Sequence, residues 1–119
     1  MPSAPRTRVD LMFRAFSDPI RLRILNLVQR GELCVCDLVE ILTLPQPTIS
    51  RHLSYLRRAG LVAVRQDRSW NYYRLALAPS AFHRKLLECL ASCFGDVPEM
   101  EHDNTRARAV RKRGGCCPS

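Results

Sequence analysis

Two cysteines separated by one residue, Cys34 and Cys36, are the side chains of this sequence best suited to binding a soft ion. A site with two sulfurs and no neighbouring histidine favours As(III), Sb(III), Cd(II), Pb(II) or Cu(I) over Mn, Ni or Co, which prefer nitrogen and oxygen donors. Residues two apart in a regular helix point to nearly opposite sides, so both thiols can hold one ion only where the backbone departs from helical geometry. The alternative is that both are small buried residues, which is common for free cysteines.

A second informative segment begins at Gln46. Ile49, Leu53 and Leu56 recur at helical spacing, which predicts an amphipathic helix with these side chains in the core. Polar side chains then project from its N-terminal part, where a helix-turn-helix contacts bases and phosphates, and a following hairpin adds arginines. The predicted DNA-contacting residues are Gln46, Thr48, Ser50, Arg51, His52, Tyr55, Arg65 and Arg68. The alternative is that these residues form the solvated face of an ordinary helix.

Helix signals around both segments predict the elements that position them. Asp18 and Pro19 mark the start of a helix, and Gly60 marks the end of the helix that begins at Gln46. With the apolar spacing, these signals predict helices over about 9–16, 19–30, 35–42, 46–59 and 80–94.

The hydrophobic pattern changes from helical to alternating after Leu61. Val62 and Val64 lie on one side of a predicted strand, Asp67-Arg68-Ser69 forms a turn, and 70–75 is rich in strand-forming residues. The order of helices followed by a hairpin predicts a mainly α fold with a β-hairpin wing, which is a winged helix-turn-helix.

The domain organisation expected from these elements is a flexible arm at 1–8, one domain at 9–94 that binds DNA and dimerises, and a disordered, basic tail at 95–119. One module covers only a few base pairs, so we expect a homodimer on a palindromic operator. The predicted dimer surface comes from the first and last helices, although packing within the chain is the alternative. Its residues are Leu11, Met12, Phe16, Phe82, Leu86, Leu90 and Phe94.

Composition favours a nucleic-acid partner over enzymatic chemistry. The net charge is +8, and 17 of the 19 basic residues are arginine, which contacts phosphate and guanine in a bidentate manner. No glycine-rich phosphate loop accompanies the cysteines, nor does a consistent His and Asp set, so we do not expect an enzyme. The lack of a long apolar run predicts no membrane association and a cytoplasmic protein, in which the six cysteines are free thiols or ligands.

Two further cysteine pairs could supply ligands. Cys89 and Cys93 are four residues apart on one face of the last predicted helix, where apolar neighbours favour a role in the dimer core over ion binding. Cys116 and Cys117 lie in the predicted tail, where they are either unused or available to complete a thiolate site.

The runs ELCVCDL, QPTISRHLSYLRRAGLV and WNYYRL together resemble the ArsR/SmtB family of metalloregulatory repressors, in its arsenical-responsive branch, over about 9–94. The resemblance implies a dimeric repressor that leaves operator DNA upstream of arsenic-resistance genes when As(III) or Sb(III) binds Cys34 and Cys36. We expect the ion to bend or unwind the start of the third helix and so to shift the recognition helix.

One position departs from the pattern of that branch. A third cysteine often follows three residues after the second, and Val39 stands there in this sequence. Two thiols alone suit a methylated arsenical. Inorganic arsenic can bind a third ligand, which is either a sulfur or an oxygen. The third sulfur would come from Cys116 or Cys117, or less favourably from Cys89 or Cys93. The alternative inducers are therefore methylated arsenicals, Cd(II) or Pb(II), and thiol oxidation.

Overall fold

Residues 9–78 and 80–115 are described by the structure, a computed structural model, and they form six helices and three short strands. The five predicted helices and the hairpin are all present among them, which confirms a mainly α winged helix-turn-helix. The predicted arm at 1–8, Cys116 and Cys117 lie outside the described residues. The elements are α1 (Val9–Phe16), α2 (Pro19–Val28), β1 (Leu33–Cys34), α3 (Val35–Leu42), α4 (Gln46–Arg58), β2 (Val62–Asp67), β3 (Trp70–Leu75), α5 (Ala81–Phe94) and α6 (Pro98–Lys112).

The predicted helix ends are held by capping hydrogen bonds. Asp18 precedes α2, and its Oδ1 accepts hydrogen bonds from the backbone N–H groups of Ile20 at 2.8 Å and Arg21 at 3.1 Å. After α4, Gly60 has φ 78° and donates its N–H to the carbonyl oxygen of Arg57 at 3.0 Å. A positive φ is a conformation that glycine adopts without steric cost, so Gly60 turns the chain sharply toward the wing.

One apolar core holds α2, α3 and α4 together. Because only the segment 43–45 separates α3 from α4, and both helices bury apolar side chains in this core, the two helices are packed as one unit. Burying each large side chain contributes roughly 1.5–3 kcal/mol. The core side chains of these helices that are at most 1% exposed are Ile24, Leu27, Leu38, Ile41, Ile49, Leu53 and Leu56.

Strand β1 adds a third strand to the predicted hairpin. The sheet order is β1-β3-β2, all pairs are antiparallel, and Cys34 pairs with Tyr72. A strand of two residues offers no alternating pattern, so the sequence did not reveal it. This pairing ties the segment that carries the thiols directly to the wing.

The turn of the wing is shorter than predicted. Asp67 is the last residue of β2 and pairs with Trp70, so the predicted three-residue turn is reduced to Arg68 and Ser69. Arg68 has φ 60°, which a tight two-residue hairpin turn requires. The arginine therefore projects from the tip of the wing.

Helix α6 occupies much of the segment 95–119, so the prediction of a disordered tail is wrong for these residues. Its inward face is partly polar: the Arg23 guanidinium donates hydrogen bonds to both Asp103 carboxylate oxygens, at 2.8 and 2.9 Å, and Asn26 donates to Asn104 at 2.8 Å. Asp103 and Asn104 are at most 3% exposed. A search for apolar periodicity misses such a helix because its buried positions include polar residues whose partners lie far away in the chain.

The same helix fastens the thiol-bearing helix α3. Arg106 donates a hydrogen bond to the backbone oxygen of Glu40 at 2.8 Å, and the Arg113 guanidinium forms an ion pair with the Glu40 carboxylate. Arg111 donates to the carbonyl oxygens of Leu27 at 3.1 Å and Gly31 at 2.8 Å. Helix α6 therefore fixes the positions of α2 and α3 relative to each other.

The predicted dimer surface on α1 and α5 is only partly exposed. Met12 is completely buried and Phe94 is 6% exposed, so both belong to the interior of this chain, which corrects the prediction for these two residues. Exposed apolar side chains on the same helices are Val9, at 41%, Phe13, at 53%, and Phe82, at 46%. Within the described ranges, no helix combines the length and apolar character needed to span a bilayer.

Candidate functional site

Cys34 and Cys36 converge on one point. Cys34 ends β1 and caps α3 with φ −87° and ψ 167°, whereas Cys36 is the second residue of the helix, and their Sγ atoms lie 2.8 Å apart. The backbone thus departs from helical geometry at Cys34, as a shared ligand requires, but this departure is built into the fold. The two sulfurs therefore face each other with the helix intact, so binding of both to one ion does not in itself require the start of α3 to unwind.

Asp37 lies next to the two thiols and was not predicted as a site residue. Its carboxylate accepts a hydrogen bond from the backbone N–H of Cys34 at 3.3 Å, and it is 6% exposed. One donor atom from each of Cys34, Cys36 and Asp37 lies within 4.8 Å of the others, a spacing that can hold a metal ion. An acidic residue three positions after a helix cap is the sequence signal that could have identified it.

A pocket of about 350 Å³ opens beside the thiols. It lies where the start of α3, the first residue of α4 and the turn of the wing meet. A ligand on the two sulfurs would therefore contact both elements that the sequence assigns to DNA. The residues that line the pocket are Cys34, Val35, Cys36, Val39, Gln46, Ser69, Trp70 and Asn71.

The N-terminal part of α4 presents most of its predicted DNA-contacting side chains. Gln46 and Arg51 are exposed, and Thr48 and Ser50 are half-buried. Gln46 donates a hydrogen bond from Nε2 to the Ser50 hydroxyl at 3.0 Å. These four side chains can reach a major groove, with Gln46 also forming part of the thiol pocket.

Tyr55 lies between two guanidinium groups. The Cζ atom of Arg21 is 4.1 Å from the centre of its ring and that of Arg58 is 5.5 Å away. Cation–π contacts of this kind hold the aromatic ring and both arginines in place. The half-buried Tyr55 is thus part of a basic cluster that joins α4 to Arg21 of α2.

His52 does not face the proposed DNA surface, in contrast to the prediction. It is 8% exposed, and its Nδ1 accepts a hydrogen bond from the Arg21 guanidinium at 3.3 Å. Burial lowers the pKa of the imidazole, opposed by Asp18, whose carboxylate lies 4.0 Å away, and reinforced by Arg21 and Arg51. Successive residues of a helix differ by about 100° around its axis, so His52 turns toward α2 while Arg51 faces solvent.

Arg65 and Arg68 differ in their availability. The Arg65 guanidinium binds the Glu32 carboxylate, with Nη2 2.7 Å from Oε1 and Nε 3.1 Å from Oε2, and it stacks 4.6 Å from the Tyr72 ring. This hydrogen bonding lowers the pKa of Glu32. Arg68 is exposed at the wing tip. Arg68 is available to contact a phosphate, whereas Arg65 can do so only after its ion pair with Glu32 breaks.

The other cysteines lie apart from the thiol pocket or beyond the described residues. Cys89 and Cys93 are exposed on α5, and the Cys89 thiol raises the pKa of Cys93 through charge repulsion and a hydrogen bond. Cys116 and Cys117 follow Gly115, where a Cβ atom would lie 3.2 Å from Asp37 Oδ1. Gly115 therefore lies beside the Asp37 carboxylate of the thiol site.

Comparison with known proteins places these features in context. Residues 18–64 match the family model described as "Bacterial regulatory protein, arsR family". The chain is 49% identical to an uncharacterized HTH-type transcriptional regulator of Methanocaldococcus jannaschii over 63 residues, 52% of this chain and 71% of that relative. It is 42% identical to the arsenical resistance operon repressor of Escherichia coli over 78 residues, 65% of this chain and 67% of the repressor.

Solved structures agree with these sequence matches. HlyU from Vibrio cholerae superimposes with a TM-score of 0.63 at 32% identity, over 71% of this chain and 89% of HlyU. The segment that matches the family model contains the thiol pair and the whole of α4.

Proposed function

The chain belongs to the arsR family of bacterial regulatory proteins, and we propose that it is a repressor that binds operator DNA as a homodimer and releases it when As(III) or Sb(III) binds Cys34 and Cys36. Its family consists of DNA-binding regulators, so we assign it no enzymatic role. The observation that carries the proposal is the convergence of the two Sγ atoms, 2.8 Å apart, in a pocket that also contains Gln46 and the wing turn.

Ligand binding at the thiols is a simple exchange at arsenic. As(OH)3 reacts with two thiols to form two S–As bonds, and each thiol proton leaves with a hydroxide as water. Two water molecules are released and one hydroxide stays on arsenic. Soft thiolate ligands favour arsenic and antimony over the hard divalent cations that bind oxygen donors.

A third sulfur can replace the remaining hydroxide. We assign this role to Cys116 or Cys117, because Gly115 lies against Asp37 and consecutive Cα atoms are about 3.8 Å apart. Cys89 and Cys93 are less favoured, because they are absent from the lining of the pocket. X-ray absorption of the arsenic-loaded protein should count three sulfur neighbours, and two in a variant with Cys116→Ser and Cys117→Ser. Two sulfurs in both proteins would contradict this assignment.

Release of DNA follows from the position of the pocket between α4 and the wing. A ligand on the thiols contacts Gln46 on one side and Ser69 to Asn71 on the other. We expect a filled pocket to change the distance between α4 and the wing, so the ligand stabilises a form that does not fit the operator. No unwinding of α3 is required.

The DNA surface in this proposal combines α4 and the wing. Gln46, Thr48, Ser50 and Arg51 contact the major groove, Tyr55 supports the adjacent basic cluster, and Arg68 contacts phosphate. Exposed apolar side chains on α1 and α5, Phe13 and Phe82 among them, are candidates for the contact between two copies. A dimer doubles the surface and supplies the specificity that one module lacks.

The proposal is tested with labelled operator DNA, selected from a random-sequence pool by the protein itself. Arsenite should lower the fluorescence anisotropy of the wild-type complex, and Cys34→Ser or Cys36→Ser should still bind DNA but no longer respond. Cys89→Ser, on an exposed cysteine of α5, is the matched control and should respond like the wild type. Equal release from the wild type and from both thiol-site variants would exclude the proposed inducer site.

Thiol oxidation and Cd(II) or Pb(II) are the second candidate inducers. The contact between the two sulfurs favours their oxidation, in which peroxide takes two electrons and two protons from the thiols and leaves as two water molecules. The same anisotropy assay separates the candidates. Release by peroxide or Cd(II), without release by arsenite, would replace arsenic as the inducer and keep the DNA-binding role.

A further inference from the structure

We propose that the thiol pocket preferentially accepts a trivalent organoarsenical, with arsenic bound by Cys34 and Cys36 and its organic substituent packed against Val35, Val39 and Trp70. This inference rests on the proposed function, because it takes the two thiols as the arsenic site. It goes further by naming the chemical class of inducer for which the pocket is shaped.

The lining of the pocket favours an organic substituent on arsenic. Apart from the two thiols, it consists of Val35, Val39 and Trp70, together with the neutral polar residues Gln46, Ser69 and Asn71. Among the residues that the structure describes, this lining contains no further thiol and no carboxylate. An arsenic substituent directed toward Val35, Val39 and Trp70 therefore meets carbon surface, which suits a substituent that is itself carbon.

The valence of an organoarsenical matches the two thiols. An organoarsenical R–As(OH)2 has two hydroxides to exchange, so it reacts with two thiols, forms two S–As bonds, and releases two water molecules while its As–C bond stays intact. Two sulfurs thus complete its coordination. The position that holds Val39 lies three residues after Cys36, on the same face of α3, and offers the substituent an apolar contact.

The size of the pocket admits an aromatic substituent. A cavity of about 150 Å³ is sufficient to bind benzene, and this pocket has a volume of about 350 Å³. Trp70, half-buried at the start of β3, supplies an indole ring with which a phenyl group can stack. A methyl group would also fit but would leave most of that surface uncovered.

Trp70 also makes the substituent relevant to regulation. It is the first residue after the wing turn and pairs with Asp67 across the hairpin. A bulky group held between the thiols and Trp70 presses on the base of this turn, so it should displace the wing more than arsenite does. The organic group thereby increases both the affinity of the protein for the arsenical and the extent of DNA release.

The test compares hydrated phenylarsine oxide with arsenite by titration calorimetry of the full-length protein. The wild type should bind the phenyl compound at least about tenfold more tightly, and Trp70→Ala should reduce this ratio by about tenfold. Trp70→Phe, which keeps an aromatic ring at this position, should retain most of the wild-type affinity ratio. Trp70 is the only tryptophan of the sequence, so quenching of the wild-type fluorescence by the phenyl compound reports the contact directly.

A second variant guards against a folding defect in the wing. Val39→Thr keeps the size of the side chain and replaces one methyl group by a hydroxyl, so it should also lower the ratio while leaving the circular dichroism spectrum unchanged. An equal loss of affinity for both ligands in these variants, or equal affinities in the wild type, would overturn the inference. Neither result would contradict the release of DNA by arsenite. If neither compound released operator DNA from the wild type, the proposed function itself would fail.

Discussion

Glu32 and Arg65 form a two-pronged ion pair that joins the residue before β1 to strand β2 of the wing, with Nη2 to Oε1 at 2.7 Å and Nε to Oε2 at 3.1 Å. Arg65 also lies 3.7 Å from Asp67 and stacks on Tyr72. A wing arginine is thus held by an acidic group two residues from the thiol Cys34. Contact of Arg65 with DNA must compete with this pair.

The first prediction removes that competition. Glu32→Gln should raise operator affinity at low salt, because Arg65 becomes free to neutralise a phosphate. Each additional phosphate contact should steepen the dependence of log affinity on log salt by about 0.9. Fluorescence anisotropy at several salt concentrations measures both quantities.

The control for this change is Glu101→Gln, which removes the same charge from an exposed position on α6. It should leave the salt dependence unchanged. An equal increase in affinity for both variants would mean that net charge, not release of Arg65, accounts for the effect.

The second prediction concerns the buried ion pair between α2 and α6. Asp103→Ala should lower the free energy of unfolding by about 2–4 kcal/mol, because the largely buried Arg23 loses its partner. Glu101→Ala breaks the exposed pair with Arg108 on the same helix and should cost at most about 1 kcal/mol. Urea denaturation of both variants checks the difference. Equal, small effects would show that α6 contributes little to the fold.

The fold was predictable from sequence wherever apolar spacing is sufficient to define an element. Ile49, Leu53 and Leu56 locate α4, and the Asp18 cap and Gly60 set helix ends within one or two residues. Helix α6 was not predictable, because Asp103 is buried only through its pairing with Arg23, 80 residues away. No local pattern encodes such a partner.

The site was predictable in its residues but not in its geometry. The spacing of Cys34 and Cys36 identifies the ligands, but their convergence depends on whether the helix begins before or after Cys34. A shift of one residue in that boundary would separate the thiols. Trp70 joins the site only because β1 pairs with β3, and a two-residue strand leaves no sequence signal.

The third prediction is a loss of stability in acid that depends on His52. Burial lowers the pKa of His52 in the folded protein, against about 6.5 in the unfolded chain. As the pH falls below about 6.5, the unfolded state binds more protons, so the free energy of unfolding should decrease, and it should stop decreasing below the folded pKa. His83, also buried and with a lowered pKa, adds in the same direction.

His52→Gln should therefore flatten the dependence of stability on pH between about 7 and 5. His102→Gln, at an exposed position on α6, is the matched control and should keep the wild-type slope. Denaturant titrations at a series of pH values give the slopes. An unchanged slope in His52→Gln would assign the acid sensitivity to other groups.

The fourth prediction adds a thiol to the wall of the pocket. Val39→Cys places a third sulfur three residues after Cys36, on the same helix face and in the same pocket. Inorganic arsenite has three hydroxides to exchange, so its affinity should rise by about an order of magnitude or more, since the third S–As bond can form with a side chain of α3 itself. The affinity for hydrated phenylarsine oxide should not rise, because two thiols already satisfy it and the new side chain narrows the apolar wall. Calorimetric titration of both ligands checks this reversal of preference. Val39→Ala is the control, because it removes the valine without adding a sulfur. A parallel gain in affinity for both ligands would mean that the third arsenic valence is not directed toward this face of α3.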